Sequence, residues 1–400
     1  MSATVMYEDR VAVAQSALED GAHLWLSVED LESVTGWTFK AEGMCRAEAC
    51  VSLPGDGSWV DGEGRVDLAA FAARFDRPVA RDAEHSVWAF GEPVNGRAQQ
   101  LESLQAPDFT LPDLDGRLHS LSDFRGKKIF LMAWGSYCGC RFDLPLWQVL
   151  YDELKDQNFE LVAVALDAGG RAAVEPSIRC TNLAERPDAF RTYLGWSEDT
   201  WRHTAPPSFT CVIDEEHQVA GLYGIKNVPE AVWIDENGQI VRPAEPAGLG
   251  YQPGETGLSE DEIARLAANR RLYWDAIRDW VKVGSQSRFA LTQEQIRARL
   301  RRPSAADARA AAHARIGRHL FGQGENDAAK CQFEEAARLC PQKWNYRRQS
   351  MVLEPELIGE INIQSGFWEA IANLDGEAYY DPIDMPGIRP DPSRSDRPQP

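Results

Sequence analysis

Two cysteines separated by a single glycine, Cys138-Gly139-Cys140, follow an apolar run, Lys128 to Trp134 (KIFLMAW), and precede a segment of helical spacing, Phe142 to Lys155. A thiol at such a strand-to-helix junction faces the unpaired N–H groups and positive dipole end of the helix, which favour thiolate over thiol. Cys138 is therefore the candidate nucleophile. Cys140 lies in reach to expel a mixed-disulfide partner and close a dithiol cycle. Two plainer readings compete. Free cysteines often serve as small buried hydrophobes. Paired thiolates also suit soft cations, but only two ligands are local and no histidine is near, so neither metal nor cofactor is expected.

Positioning those thiols requires a sheet with crossover helices. KIFLMAW reads as a strand buried on both faces, and Phe159 to Leu166 (FELVAVAL) as a second. Between them Leu146, Val149, Leu150 and Leu154 recur at helical spacing. Thr210 to Ile213 and Ala231 to Ile234 supply two more strands, and Glu236-Asn237-Gly238 before Gln239-Ile240-Val241 signals a hairpin. Such alternation predicts an α/β domain.

The run Ala106-Pro107-Asp108-Phe109, Leu114-Asp115-Gly116, Leu121 to Lys127 (LSDFRGK) and Trp134 to Pro145 resembles the opening of the AhpC/TSA redoxin superfamily, nearest to its TlpA/ResA branch. Tyr223 to Pro229 (YGIKNVP), followed by Trp233-Ile234-Asp235 and Asn237-Gly238, is similar to the second signature of that group. The resemblance covers the middle third of the chain. It implies a thioredoxin-like fold and thiol–disulfide exchange, with Trp134 covering one side of the cysteines. It also implies a cis-proline at Pro229 facing them, which would leave the Val228 backbone free to pair with a substrate strand. Partners would be protein or small-molecule thiols and disulfides, with a reductant such as thioredoxin or a low-molecular-weight thiol.

That branch usually reads Trp-x-x-x-Cys-x-x-Cys-Arg-x-Glu-x-Pro, whereas here one residue is missing between the cysteines and Asp143 replaces Glu. Cys138 keeps the nucleophile's place and Cys140 takes the resolving role. A bridge between cysteines two apart closes a tight ring, so the expectation is a strained, relatively oxidising couple. If the two cannot pair, Cys180 in a loop or Cys211 in a strand is left to resolve; Cys211 reads as packing. Arg141 could assist the thiolate, although arginine at a helix start is commonly a surface charge. An alternative is a thiol peroxidase of antioxidant role with Cys138 as peroxidatic residue. Peroxiredoxins usually place Pro-x-x-x-Thr-x-x-Cys before that residue, and the matching positions here are Leu131 and Gly135, with Ser136 and Tyr137 as the hydroxyls at hand. A third reading is a non-enzymatic helical interaction protein that keeps the redoxin domain as scaffold.

The whole is read as a thioredoxin-like α/β central domain (101–243) between a small N-terminal α+β domain (1–100) and a C-terminal helical region (259–383), with a linker at 244–258 and a disordered tail at 384–400. Gly317, Leu320, Gly324, Ala329, Phe333, Ala336 and Pro341 resemble one tetratricopeptide repeat, which must pack on helices such as 259–283 or on a second subunit, as in a homodimer. Cys331 and Cys340 in these helices read as packing residues. Cys45 and Cys50 read as structural rather than as a second redox site. A net charge of −20 disfavours nucleic acid and anionic membrane surfaces. Met1 to Arg10 lacks the pattern of a signal peptide and no run approaches about 18 apolar residues, so the expected location is cytoplasmic. Eight cysteines there would be individual thiols, not a disulfide framework.

Overall fold

The computed structural model describes residues 1–52, 54, 57–93, 101–181, 197–198, 205–247, 260–353, 365–373 and 379–389. Most of the expected linker and the tail beyond Arg389 lie outside them. The chain divides into two compact units, one of residues 1–98 with 303–340, the other of 99–302 with 341–400. The helical region expected as one block is thus split between two cores. Its middle portion is delimited in sequence by Pro303 with a Ser304/Asp307 capping box and by Pro341, which stop the flanking helices.

In the first unit, four strands run in the order Arg10–Ala14, Ala3–Tyr7, Val87–Phe90, Val79–Asp82, with the central pair parallel. The helices Ala305–Gly322 and Asn326–Leu339 form a hairpin, and the first of them packs on Val79–Asp82 and Val87–Phe90. Gln332 donates to Asp82 at 3.0 Å from the second. The apolar face expected to need the 259–283 helix or another subunit is therefore covered by this sheet. A Cβ at Gly317 would sit 2.8 Å from the Phe333 ring, so only glycine admits that approach. Cys340 is buried, but Cys331 is exposed, contrary to its expected packing role: it falls on the outer face of its helix. Cys45 and Cys50 lie opposite each other on adjacent strands and are joined by a disulfide.

The second unit is built on a five-stranded sheet in the order Thr210–Asp214, Phe159–Leu166, Lys128–Trp134, Glu230–Ile234, Ile240–Pro246. The first three strands are parallel, and Glu230–Ile234 runs antiparallel to its neighbour on either side. Lys128–Trp134 is central and buried beyond its first residue, as its unbroken apolar sequence requires. On one face Phe130 meets Trp147 of helix Leu144–Leu154 and Tyr273 of helix Glu260–Val283 (5.1 and 6.3 Å between ring centres), while Trp233 packs on Trp280 at 5.0 Å. Residues 384–389 belong to this packing rather than to a disordered tail: Met385 is buried, and the Asp384 carbonyl accepts from the buried Arg242 at 2.9 Å. Among the described residues, no helix is long and apolar enough to cross a membrane.

Candidate active site

The central strand ends at Trp134, fully buried in the same core as Cys138 and Cys140. At Gly135 a Cβ would lie 2.7 Å from the Tyr137 ring, so glycine lets that ring fold back over the turn. Asp167, at the end of the neighbouring strand, accepts from the Ser136 N–H at 3.1 Å and from its hydroxyl at 2.5 Å. Arg141 donates to the Ser136 carbonyl and lies over the Phe142 ring. It braces the turn, which is a different task from the thiolate assistance expected of it.

Cys138 caps a short 3-10 turn, Gly139–Asp143, that leads into helix Leu144–Leu154 with Pro145 in its first turn. Its Sγ accepts the Cys140 N–H at 3.3 Å, one of the donors orphaned at a helix start. Burial by itself pushes the Cys138 thiol up. The Cys140 thiol hydrogen bond, the Arg348 charge, the Cys140 N–H and an Arg348 hydrogen bond outweigh it and bring Cys138 down to about 5. Burial and the neighbouring Cys138 sulfur push Cys140 well above the ordinary thiol value. The pair therefore divides into an anion and a retained proton, as a nucleophile and a resolving thiol must.

The Val228–Pro229 bond is cis. The Val228 backbone, however, is not free. Its N–H donates to Asn227 Oδ1 at 2.9 Å, and its carbonyl accepts from Cys138 Sγ at 3.4 Å, Arg348 at 3.2 Å and the Tyr380 hydroxyl at 2.7 Å. The expectation of an open strand-pairing edge fails because the C-terminal segment of this same unit occupies it. Arg348 is fully buried in helix Trp344–Val352, also donates to Asn227 Oδ1 at 3.1 Å, and lies over the rings of Tyr137, Phe367 and Tyr379. Asn227 Nδ2 donates to the Tyr379 carbonyl at 3.0 Å. Cys138 is left 5% exposed. Arg348, Tyr380 and Asn227 escaped the sequence reading; the only trace was the aromatic pair Tyr379-Tyr380, and nothing local marks Arg348 apart from Arg347.

Cys180 is not brought to this site. It follows helix Gly170–Ile178, which begins beyond the C-terminal end of strand Phe159–Leu166 and returns the chain toward the end at which strand Thr210–Asp214 begins. There it meets the Ala205 carbonyl at 3.5 Å and neighbours Cys211 near the start of its strand. Cys138 sits at the other end of these parallel strands. Cys211 is buried, and burial, then Cys180, push its thiol up, which makes it inert. Asp143 is buried and paired with Arg270 at 3.5 Å. Among the described residues, no group of three or more His, Cys, Asp or Glu is placed to hold a metal.

Residues 103–242 match the AhpC/TSA family. Over 136 residues the chain is 35% identical to the thiol-disulfide oxidoreductase ResA of Geobacillus thermodenitrificans, covering 34% of this chain and 64% of that one. The proteins of the same name from Geobacillus kaustophilus (35% over 136 residues; 34% and 64%) and Halalkalibacterium halodurans (32% over 139 residues; 34% and 65%) are similar. The chain thus spans a little under two thirds of each relative's length.

Proposed function

We propose that the protein is a thiol–disulfide oxidoreductase of the thioredoxin-like TlpA/ResA kind, whose working dithiol is Cys138 and Cys140, a reading supported by the AhpC/TSA match over residues 103–242 and the likeness to the ResA proteins. The observation that carries this reading is the Cys138 sulfur at a helix entrance, accepting the Cys140 N–H at 3.3 Å beside the buried Arg348 guanidinium.

The Cys138 thiolate attacks one sulfur of a substrate disulfide, forming a mixed disulfide and releasing the other sulfur as a thiolate that takes a proton from solvent. Cys138 is then uncharged. The sulfur anion that helps hold the proton on Cys140 is gone, so Cys140 ionises more readily. Its thiolate attacks the Cys138 sulfur, expels the second substrate thiolate and leaves the Cys138–Cys140 disulfide. An external dithiol, or two monothiols, returns the pair to its reduced form by the reverse exchange.

The test is catalysed reduction of a soluble disulfide with excess dithiothreitol, comparing the full chain with Cys138→Ser and Cys140→Ser. Cys138→Ser should be inactive, and reduced Cys140→Ser, freed of dithiothreitol and given the disulfide alone, should stop at the mixed disulfide. Undiminished turnover by Cys138→Ser would remove the proposal.

A further inference from the structure

We infer that Arg348 and Tyr380 determine the specificity of this site, restricting it to low-molecular-weight disulfides by occupying the backbone carbonyl beside Cys138. The inference rests on the reading of Cys138 as the exchanging thiol and adds the class of substrate.

Outside the Cys138–Cys140 turn itself, the backbone hydrogen-bonded to the reactive sulfur is that of Val228, whose carbonyl lies 3.4 Å from it. A disulfide carried on an extended chain docks by strand addition, which needs an unpaired N–H and C=O along the groove. Val228 offers neither, since its N–H is bound by Asn227 and its carbonyl by Arg348 and Tyr380. Both occupants are fixed. The helix of Arg348 is pinned by the Asn345 N–H on the Lys226 carbonyl at 3.2 Å and by Gln349 Oε1 accepting the Ala168 N–H at 3.2 Å. The turn after Tyr380 is tied through Asp381 to Arg301 at 2.7 Å and Lys226 at 3.2 Å. Displacing Arg348 would also leave a buried guanidinium without its carbonyl partners among aromatic rings, a costly state. A small disulfide needs none of these backbone groups. It has only to bring one sulfur in line with Cys138 Sγ, after which one thiolate leaves and Cys140 releases the other.

The test uses the reduced full-length protein and two oxidants in single-turnover reactions: 2-hydroxyethyl disulfide, and an extended peptide of about ten residues linked to a second through a central cystine. Each rate is divided by that of the same oxidant with dithiothreitol, which removes intrinsic reactivity. The normalised rate for the small disulfide should exceed that for the peptide at least tenfold, and Tyr380→Ala should narrow that ratio several-fold. Equal normalised rates, or a peptide preference, would overturn the inference while leaving thiol exchange intact. If neither oxidant converts Cys138, the functional proposal itself falls first, and this inference with it. Tyr380→Phe, which keeps the ring and removes one hydrogen bond, covers the case in which the alanine variant does not fold. A ratio unchanged in every folded variant would count against the assigned role of Tyr380.

Discussion

Arg348 and Cys138 share one acceptor, the Val228 carbonyl, at 3.2 and 3.4 Å. When Cys138 loses its proton it can no longer donate, and the carbonyl keeps Arg348 and Tyr380 as partners. The same guanidinium supplies the charge that a buried sulfur anion requires. A residue outside the family-matched region thus completes the electrostatics of the redoxin motif.

Replacing that charge should move the titration. With Arg348→Met, the midpoint of Cys138 alkylation by iodoacetamide should rise from about 5 toward the ordinary thiol value of about 8.5. Arg348→Lys should recover part of the shift, because it restores charge without the planar fork. Circular dichroism verifies folding. An unmoved midpoint in a folded Arg348→Met variant would exclude the ion pair as the cause.

Stability should depend on pH through the same group. A thiol whose folded pKa is depressed contributes stability that is fully present above its unfolded pKa and is lost as pH falls through the folded one. For Cys138 that window runs from the ordinary thiol value of about 8.5 down to about 5. Urea unfolding of wild type relative to Cys138→Ser should therefore favour wild type more at pH 7 than at pH 5, by on the order of 1–2 kcal/mol after allowance for coupling with Cys140. A difference constant across that range would contradict the depressed value.

The couple should be oxidising. Stabilising the Cys138 anion favours the reduced form, and a ring closed across one intervening residue disfavours the disulfide. Equilibration with glutathione buffers should give a potential above the value of about −270 mV found for thioredoxin. A value at or below that would show that neither effect governs the pair.

Much of the site was legible in the sequence because its parts are local. Lys128–Trp134 announces a doubly buried strand by its unbroken apolar run, and the Cys138-Gly139-Cys140 spacing at its end places both thiols at a helix entrance. Pro229 was legible through its neighbours in the second signature, and it is cis. Arg348 and Tyr380 were not legible. Their role depends on a long-range fold-back of the C-terminal segment, and arginine is so seldom fully buried that composition argues against it. Cys180 misled for the converse reason: it lies in the same predicted domain as Cys138, but helix Gly170–Ile178 carries it back toward the other end of the parallel strands. The division of the C-terminal helices between two cores was equally hidden, since an amphipathic face does not name the surface that covers it.

In the first unit, Gly317→Val should destabilise on the order of 2 kcal/mol, from overpacking against Phe333 together with lost helix propensity. Thermal unfolding reads the change. An unaltered melting temperature would mean that the two helices do not approach as closely as described.

The account turns on which sulfur Cys138 joins. One equivalent of 2-hydroxyethyl disulfide is added to the reduced full-length protein, free thiols are trapped in acid, and the peptides are mapped by mass. The account predicts a Cys138–Cys140 bridge with Cys180 and Cys211 alkylated; Cys138 joined to either of those two, or still free after the oxidant is consumed, would contradict it.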